Sequence, residues 1–323
     1  MLPGGIPYPP PVDNGFWGPT TSTIDWCEEN YVVSKYVAEI MNTTTNAVFM
    51  IMALYTIINV YREKHHPTII FAAIGFFIVG FGSWMFHMTL WYEFQLLDEL
   101  PMIYATCVPL YIVFSNKKSN HFKTLLGVGI AAGALLLTAI YLHNKNPTFH
   151  QAAYGILNFI VIGKSVALTK AYISDQKTKN LFWRLLALGL FSFLFGYFLW
   201  NLDIHLCNQW IKIRREVGLP YGLVIEGHAW WHIFTGLGVY IYIVYLCYLQ
   251  VFLAKRQHLY HFLWWCGFFP HVDLLPEAKA LWNKLGRAPT ETEMAEVTSL
   301  SGVSGVKRVS SIHAKSSSVN HHN

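Results

Sequence analysis

The chain has 323 residues, of which 54% are hydrophobic, 16% aromatic and only 13% charged. An average soluble domain carries about 25% charged residues, so the composition excludes an ordinary soluble domain and points to a membrane. The net charge of +5 contains no basic run that would suggest nucleic acid, and five cysteines exclude a disulfide scaffold while allowing one bridge.

Residues 1–24 are rich in Pro, Gly and Thr and read as loop. Met1-Leu2-Pro3-Gly4-Gly5 has neither a basic n-region nor an apolar h-region, so no cleaved signal peptide is expected. Residues 25–42 are acidic and mixed, and predict a short surface helix. Apolar stretches follow at 43–61, 67–91, 98–115, 124–142, 149–169, 181–202 and 223–253. Each is near or above the roughly 20 residues that a helix needs to cross a bilayer. The expected fold is an all-α membrane protein with seven transmembrane helices. The third begins with charges and the fifth contains Lys164, whose place near a helix end suits snorkelling to the interface.

Loop charges give an orientation. Arg62, Lys64, Lys117, Lys118, Lys123, Lys177, Lys179, Lys255 and Arg256 fall on one side. The acidic N-terminal segment, Glu93, Lys145, Lys212, Arg214 and Arg215 fall on the other. The positive-inside rule then predicts a lumenal N-terminus and a cytosolic C-terminus, with an imperfect bias because the last loop is basic. Three regions follow: a lumenal segment over 1–42, a seven-helix transmembrane domain over 43–254 and a cytosolic tail over 255–323. In that tail, 258–271 is aromatic and suits the membrane surface. Residues 276–287 could form a short helix, and disorder is expected from Thr298 onward.

Five polar residues share one depth on this reading. Ser83 and His87 lie one turn apart near the lumenal end of the second helix. Asp98 opens the third helix. His228 and His232 repeat the four-residue spacing at the start of the seventh. Ionisable groups in such surroundings are a functional-site hypothesis by default. Three imidazoles with an open fourth position make a catalytic zinc site. Zinc lowers the pKa of a bound water and polarises a carbonyl. Ala229 stands where the H-E-x-x-H motif has its base, so Asp98 is the expected base. Ser83 is the expected hydrogen-bonding partner of the water or oxyanion.

Asp25, Glu28, Asn30 and Glu39 offer hard oxygen donors that suit calcium, but their spacing alone reads as a solvated acidic segment. Cys27 and Cys207 share the lumenal side, where an oxidising compartment permits a bridge. Cys107 and Cys247 lie within helices and are expected to be inert core residues, and Cys266 is expected to be free on the cytosolic side. Asp203 and His205 form another lumenal pair, read as a cap of the sixth helix or a support of the site. Asn42-Thr43-Thr44 matches a glycosylation pattern but abuts the membrane.

Four blocks in order resemble the alkaline ceramidases, with a flavour closest to the fungal phytoceramidase and dihydroceramidase type. They are Asp25-Trp26-Cys27-Glu28-Glu29-Asn30-Tyr31, Gly82-Ser83-Trp84-Met85-Phe86-His87, the run from Gln95 through Asp98-Glu99-Leu100-Pro101 to Tyr104, and the run from Gly227-His228-Ala229-Trp230-Trp231-His232 to Gly236. The resemblance implies an intramembrane amidase of the endoplasmic reticulum or Golgi. It implies zinc on His87, His228 and His232, with Ser83 and Asp98 as catalytic residues. It further implies a calcium ion on Asp25, Trp26 (through its carbonyl), Glu28, Asn30 and Glu39, and a Cys27–Cys207 bridge. The implied reaction cleaves ceramide-type lipids with water to a sphingoid base and a fatty acid, and can run backwards. No nucleic acid and no obligate protein partner are expected. A seven-helix lipid receptor that keeps a zinc site is the alternative. A proton-path transporter would bring broken helices and inverted repeats, and the sequence has neither.

Overall fold

The structure is a computed structural model that describes residues 1–300. Nearly all of the expected disordered tail, residues 301–323, lies outside the described residues. Two minimal strands, β1 (Asn14–Gly15) and β2 (Gly18–Pro19), lie in the N-terminal loop. The helices are α1 (Ile40–Thr45), α2 (Ala47–Arg62), α3 (Thr68–Thr89), α4 (Tyr92–Ser115), α5 (Asn120–Asn144), α6 (Pro147–Tyr172), α7 (Gln176–His205), α8 (Cys207–Val217) and α9 (Gly227–Leu253). A hairpin of β3 (Tyr260–Trp265) and β4 (Phe269–Leu274) follows. Met1–Leu274 forms one compact unit. From Leu275 onward α10 (Pro276–Leu285) and α11 (Glu291–Leu300) belong to a second.

Among the described residues, seven helical segments are long and apolar enough to cross a membrane, with α1 and α2 together making the first. The seven expected spans are therefore present, with shifted ends. The fourth span begins where Ser119 caps α5 by accepting from the Phe122 N–H, and the sixth where Asp175 caps α7 by accepting from Thr178 N. α9 is the most buried span. It packs along α7 and touches α2 and α3.

Four local expectations are corrected. Residues 25–39 are not a helix but an ordered loop. The loop's end is bonded to the end of α3 instead, with Ala38 N–H donating to Met88 O and Glu39 N–H to His87 O, and the preceding Thr21 and Ser22 N–H groups donate to Leu90 O. Trp17, Trp26 and Phe94 close over Tyr31, Ala38, Phe86 and Leu90. The third span starts at Tyr92, so Asp98 lies nearly two turns inside it rather than at its N-terminus. The basic loop before the last span is an amphipathic helix, α8, followed by a short 3-10 turn over Tyr221–Ile225, so the last span starts at Gly227 and not at 223. Residues 260–274 are a β-hairpin packed on α9, and belong with the membrane unit rather than with a tail beginning at 255.

Candidate metal centre and active site

His87 on α3 and His228 and His232 on α9 converge in the interior. One ligand atom from each lies within 4.8 Å of the others, and all three residues are buried. The four-residue spacing on α9 brings the His228 and His232 ring centroids to 4.7 Å. The His87 ring stands 5.0 Å from each of them.

Hydrogen bonds set the ring tautomers. His87 Nδ1 meets Glu39 Oε2. Glu39 also donates its own backbone N–H to His87 O, so one residue clamps both ends of the histidine. His232 Nδ1 lies 3.0 Å from Thr45 Oγ1, and that hydroxyl donates its proton to Met41 O at 2.7 Å. The Thr45 oxygen therefore accepts from His232, which leaves the Nε2 lone pair of His232 free. His87 Nε2 and His228 Nδ1 are buried without hydrogen-bond partners. Each unpaired buried group costs on the order of 1–3 kcal/mol, so the donor set fits a cation that takes these lone pairs. Three neutral imidazoles backed by a carboxylate and a hydroxyl are the donors that suit zinc. Replacing Glu39 by alanine is expected to lower metal affinity about 10- to 100-fold, read as metal retained during dialysis against graded chelator. Unchanged retention would remove Glu39 from the support of His87.

The α9 start is positioned from outside. Asp203 of α7 accepts from Gly227 N–H at 3.1 Å. It thus caps the next span and not its own helix, while His205 is exposed. A Cβ on Gly227 would stand 2.8 Å from the Asp203 Cβ, so the capping contact needs glycine there. Beside it, the Arg214 guanidinium donates to Glu226 Oε2 at 2.5 Å and to Cys27 O at 2.6 Å. Cys27 is disulfide-bonded to Cys207. The Trp26 ring centroid lies 4.4 Å from that of His228, so the N-terminal loop roofs the histidine cluster.

Ser83 and Asp98 meet across α3 and α4 through a side-chain hydrogen bond. Two sequence features allow it. Pro101 lies inside α4 and has no N–H, so the Leu97 carbonyl four residues earlier loses its helical donor. Gly82 packs against that same carbonyl: a Cβ there would stand 2.0 Å from Leu97 O. The helices can approach this closely only because Gly82 has no side chain.

The acidic loop residues are gathered but not all free. Asn30 Nδ2 lies 3.4 Å from Asp25 Oδ1. Glu39 Oε1 and Asn30 Oδ1 are buried and unpartnered. Glu28 instead spends both carboxylate oxygens on the Met41 and Asn42 N–H groups, each at 2.7 Å, and so caps α1. Burial, and after it the neighbouring Glu39 carboxylate, push Glu28 up to about 8. Glu39 is pushed well up by burial and then by Asp25, and Asp25 is raised by burial. Asn42 of the glycosylation pattern is fully buried, which keeps it from modification.

The sequence profile of the ceramidase family matches residues 18–273, most of the chain. This chain belongs to the ceramidase family. It is 44% identical over 278 residues to alkaline ceramidase YPC1 of Saccharomyces cerevisiae, covering 82% of this chain and 88% of that protein. It is 40% identical over 277 residues to mouse alkaline ceramidase 3, covering 84% of this chain and 99% of that protein. An alkaline ceramidase of Arabidopsis thaliana is 27% identical over 230 residues, covering 70% of this chain and 83% of the relative. As a ceramidase the chain is an enzyme, and the matched span contains the histidine cluster, Ser83, Asp98 and the roofing loop. Sequence reasoning singled out the three histidines that converge here, and it proposed Ser83 and Asp98 beside them. It missed Thr45 and Arg214, and it left the role of Asp203 open. No local spacing marks these residues, because each acts on an element distant in the chain.

Proposed function

We propose that this chain hydrolyses the amide bond of ceramide-type lipids to a sphingoid base and a free fatty acid. The observation that carries the reading is the buried meeting of His87, His228 and His232 near a hydrogen-bonded Ser83–Asp98 pair, in a chain of the ceramidase family. His87, His228 and His232 would hold zinc, which when bound supplies a Lewis acid for the amide carbonyl and acidifies water. Asp98 takes a proton from the attacking water and returns it to the amide nitrogen as the C–N bond breaks. Ser83 donates to Asp98 while that carboxylate is the base, and once Asp98 holds the water's proton the freed hydroxyl turns to the developing oxyanion. Trp26 and the loop around it keep bulk water off His228. Because the same groups serve the reverse step, fatty acid and sphingoid base should condense when water is scarce. Labelled fatty acid in detergent checks this, and absence of labelled ceramide rejects it.

The substrate resides in the bilayer, which accounts for a hydrolytic site among spans. The loop charges and the Cys27–Cys207 bridge support placing the histidine face in an oxidising lumen of the endoplasmic reticulum or Golgi. On this reading 1–42 steadies the site, 43–254 carries the chemistry, and the chain beyond 254 lies on the cytosolic side of the bundle. The test is purified protein incubated with phyto-, dihydro- and unsaturated ceramides, with both products measured. Binding of every ceramide with release from none would overturn hydrolysis in favour of a lipid receptor.

Calcium belongs to the same proposal, on Asp25, Glu28, Asn30, Glu39 and the Trp26 carbonyl. The unpartnered Glu39 and Asn30 oxygens support it, and the occupied Glu28 oxygens limit what Glu28 can add. A carboxylate raised in the fold stabilises the protein below its unfolded pKa and loses that contribution as pH rises through the folded value. Without a divalent cation, stability is therefore expected to fall as pH climbs toward and past the Glu28 value of about 8. Calcium competes with those protons, so its rise in Tm should be larger near about pH 9 than near about pH 6. Equal rises at both, against a chelator control, would detach calcium from these carboxylates.

A further inference from the structure

We propose that the β3–β4 hairpin is a membrane wedge, its aromatic tip seated in the lipid leaflet opposite the histidine cluster. The hairpin starts at the end of the bundle away from that cluster. Its base is tied there: the Tyr260 hydroxyl donates to Glu63 O and Lys64 O at 3.0 and 2.9 Å, and Leu274 N–H donates to Glu63 Oε2 at 3.1 Å. His65 Nε2 meets Val272 O at 2.7 Å. Nearer the tip, the Tyr240 hydroxyl donates to Pro270 O at 2.8 Å. Tyr240 lies about 20 Å from the C-terminal end of α9 by the helical rise, and its ring faces Tyr55, about 10 Å from the end of α2. The hairpin therefore points back along the spans and not away from them.

The register divides its two faces. Tyr260, Pro270, Val272 and Leu274 are buried toward α9. The opposite face is formed by the pairs His261–Asp273, Leu263–His271 and Trp265–Phe269. Along it, chemistry changes from ionisable at the base to wholly apolar at the tip. His271 and Asp273 sit 3.5 Å apart on the polar part. Trp265 is 62% exposed and Phe268 59% exposed. Exposed Arg62, Lys64 and Lys255 flank the base, where phosphate headgroups would meet them. Above, the Arg184 guanidinium covers the Trp264 ring at 4.6 Å. Indole rings at the boundary and cations at headgroup level are the arrangement of an interfacial anchor. A two-stranded hairpin also keeps unpaired edge groups, which are not tolerated deep in hydrocarbon. Those edges hold the wedge to the headgroup and upper acyl zone.

Cys266 sits exposed in the tip and offers a probe position. In full-length protein with Cys107→Ser and Cys247→Ser, in lipid nanodiscs, a polarity-sensitive fluorophore is placed on Cys266. A second sample carries it at Lys255→Cys, on the Cys266→Ser background, as an aqueous reference. The tip label is expected to be quenched several-fold more by lipids with a nitroxide high on the acyl chain than by iodide, with the reverse at position 255. Trp265→Ser with Phe268→Ser should move the tip label toward iodide. Strong iodide quenching of the unsubstituted tip overturns the proposal. So does quenching by neither agent, which would mean that protein covers the tip. Gel filtration of each sample restricts the reading to folded protein.

Discussion

His228→Ala is expected to abolish fatty acid release from ceramide and to leave the purified protein without stoichiometric zinc. The ring is buried, its Nδ1 has no protein partner, and it faces both other histidines within about one ring diameter. Nothing else in that position offers a soft nitrogen lone pair. Asp98→Asn keeps the size of the side chain and removes only its basicity. It should therefore retain zinc and lower kcat about 10²- to 10⁴-fold, the range of a positioned general base. Metal content by atomic spectroscopy, measured alongside turnover, separates the two variants. Wild-type turnover in either would take that residue out of the chemistry, and zinc loss in Asp98→Asn would make Asp98 a ligand.

Gly82→Ala is expected to cost about as much as a displaced catalytic group, on the order of 10²-fold in kcat, from the addition of one methyl. The new Cβ would fall 2.0 Å from Leu97 O and 3.0 Å from Asp98 N, both backbone atoms. Rotamer changes cannot relieve it, so α3 and α4 must separate. The Ser83–Asp98 bond spans that junction, whereas the histidines lie on α3 and α9. Zinc should thus be retained while turnover falls, and KM should change less than kcat. A variant with normal turnover would show that Ser83 and Asp98 work without close helix contact. A thermal scan tests whether the loss is only unfolding.

The legible parts of this protein are those written in local composition. Seven apolar runs gave seven spans, because hydrocarbon demands a continuous apolar stretch of known length. Ser83–His87 and His228–His232 were legible because a four-residue spacing places two side chains on one helix face. The boundaries were less legible. Asp98 resembled a helix start because charge resembles an end, yet the helix runs back to Tyr92 and keeps the carboxylate inside. The acidic loop resembled a helix because its composition does not record that the backbone at its end is bonded to Met88 and His87.

The sequence by itself determined the membrane class, the number of spans, the two four-residue-spaced pairs of the cluster's helices and, through its ordered blocks, the family. Periodicity and hydropathy are properties of neighbouring residues, and a bilayer reads them directly. The tertiary structure alone decided which groups answer one another across long separations. Glu39 holds His87, Asp203 caps the helix of His228, Arg214 joins Glu226 to the Cys27 carbonyl, and Gly82 lets Ser83 reach Asp98. Those partners are chosen by how the helices pack. Packing is set by shape and by satisfying every buried polar group at once, and neither is a property of any short stretch of chain.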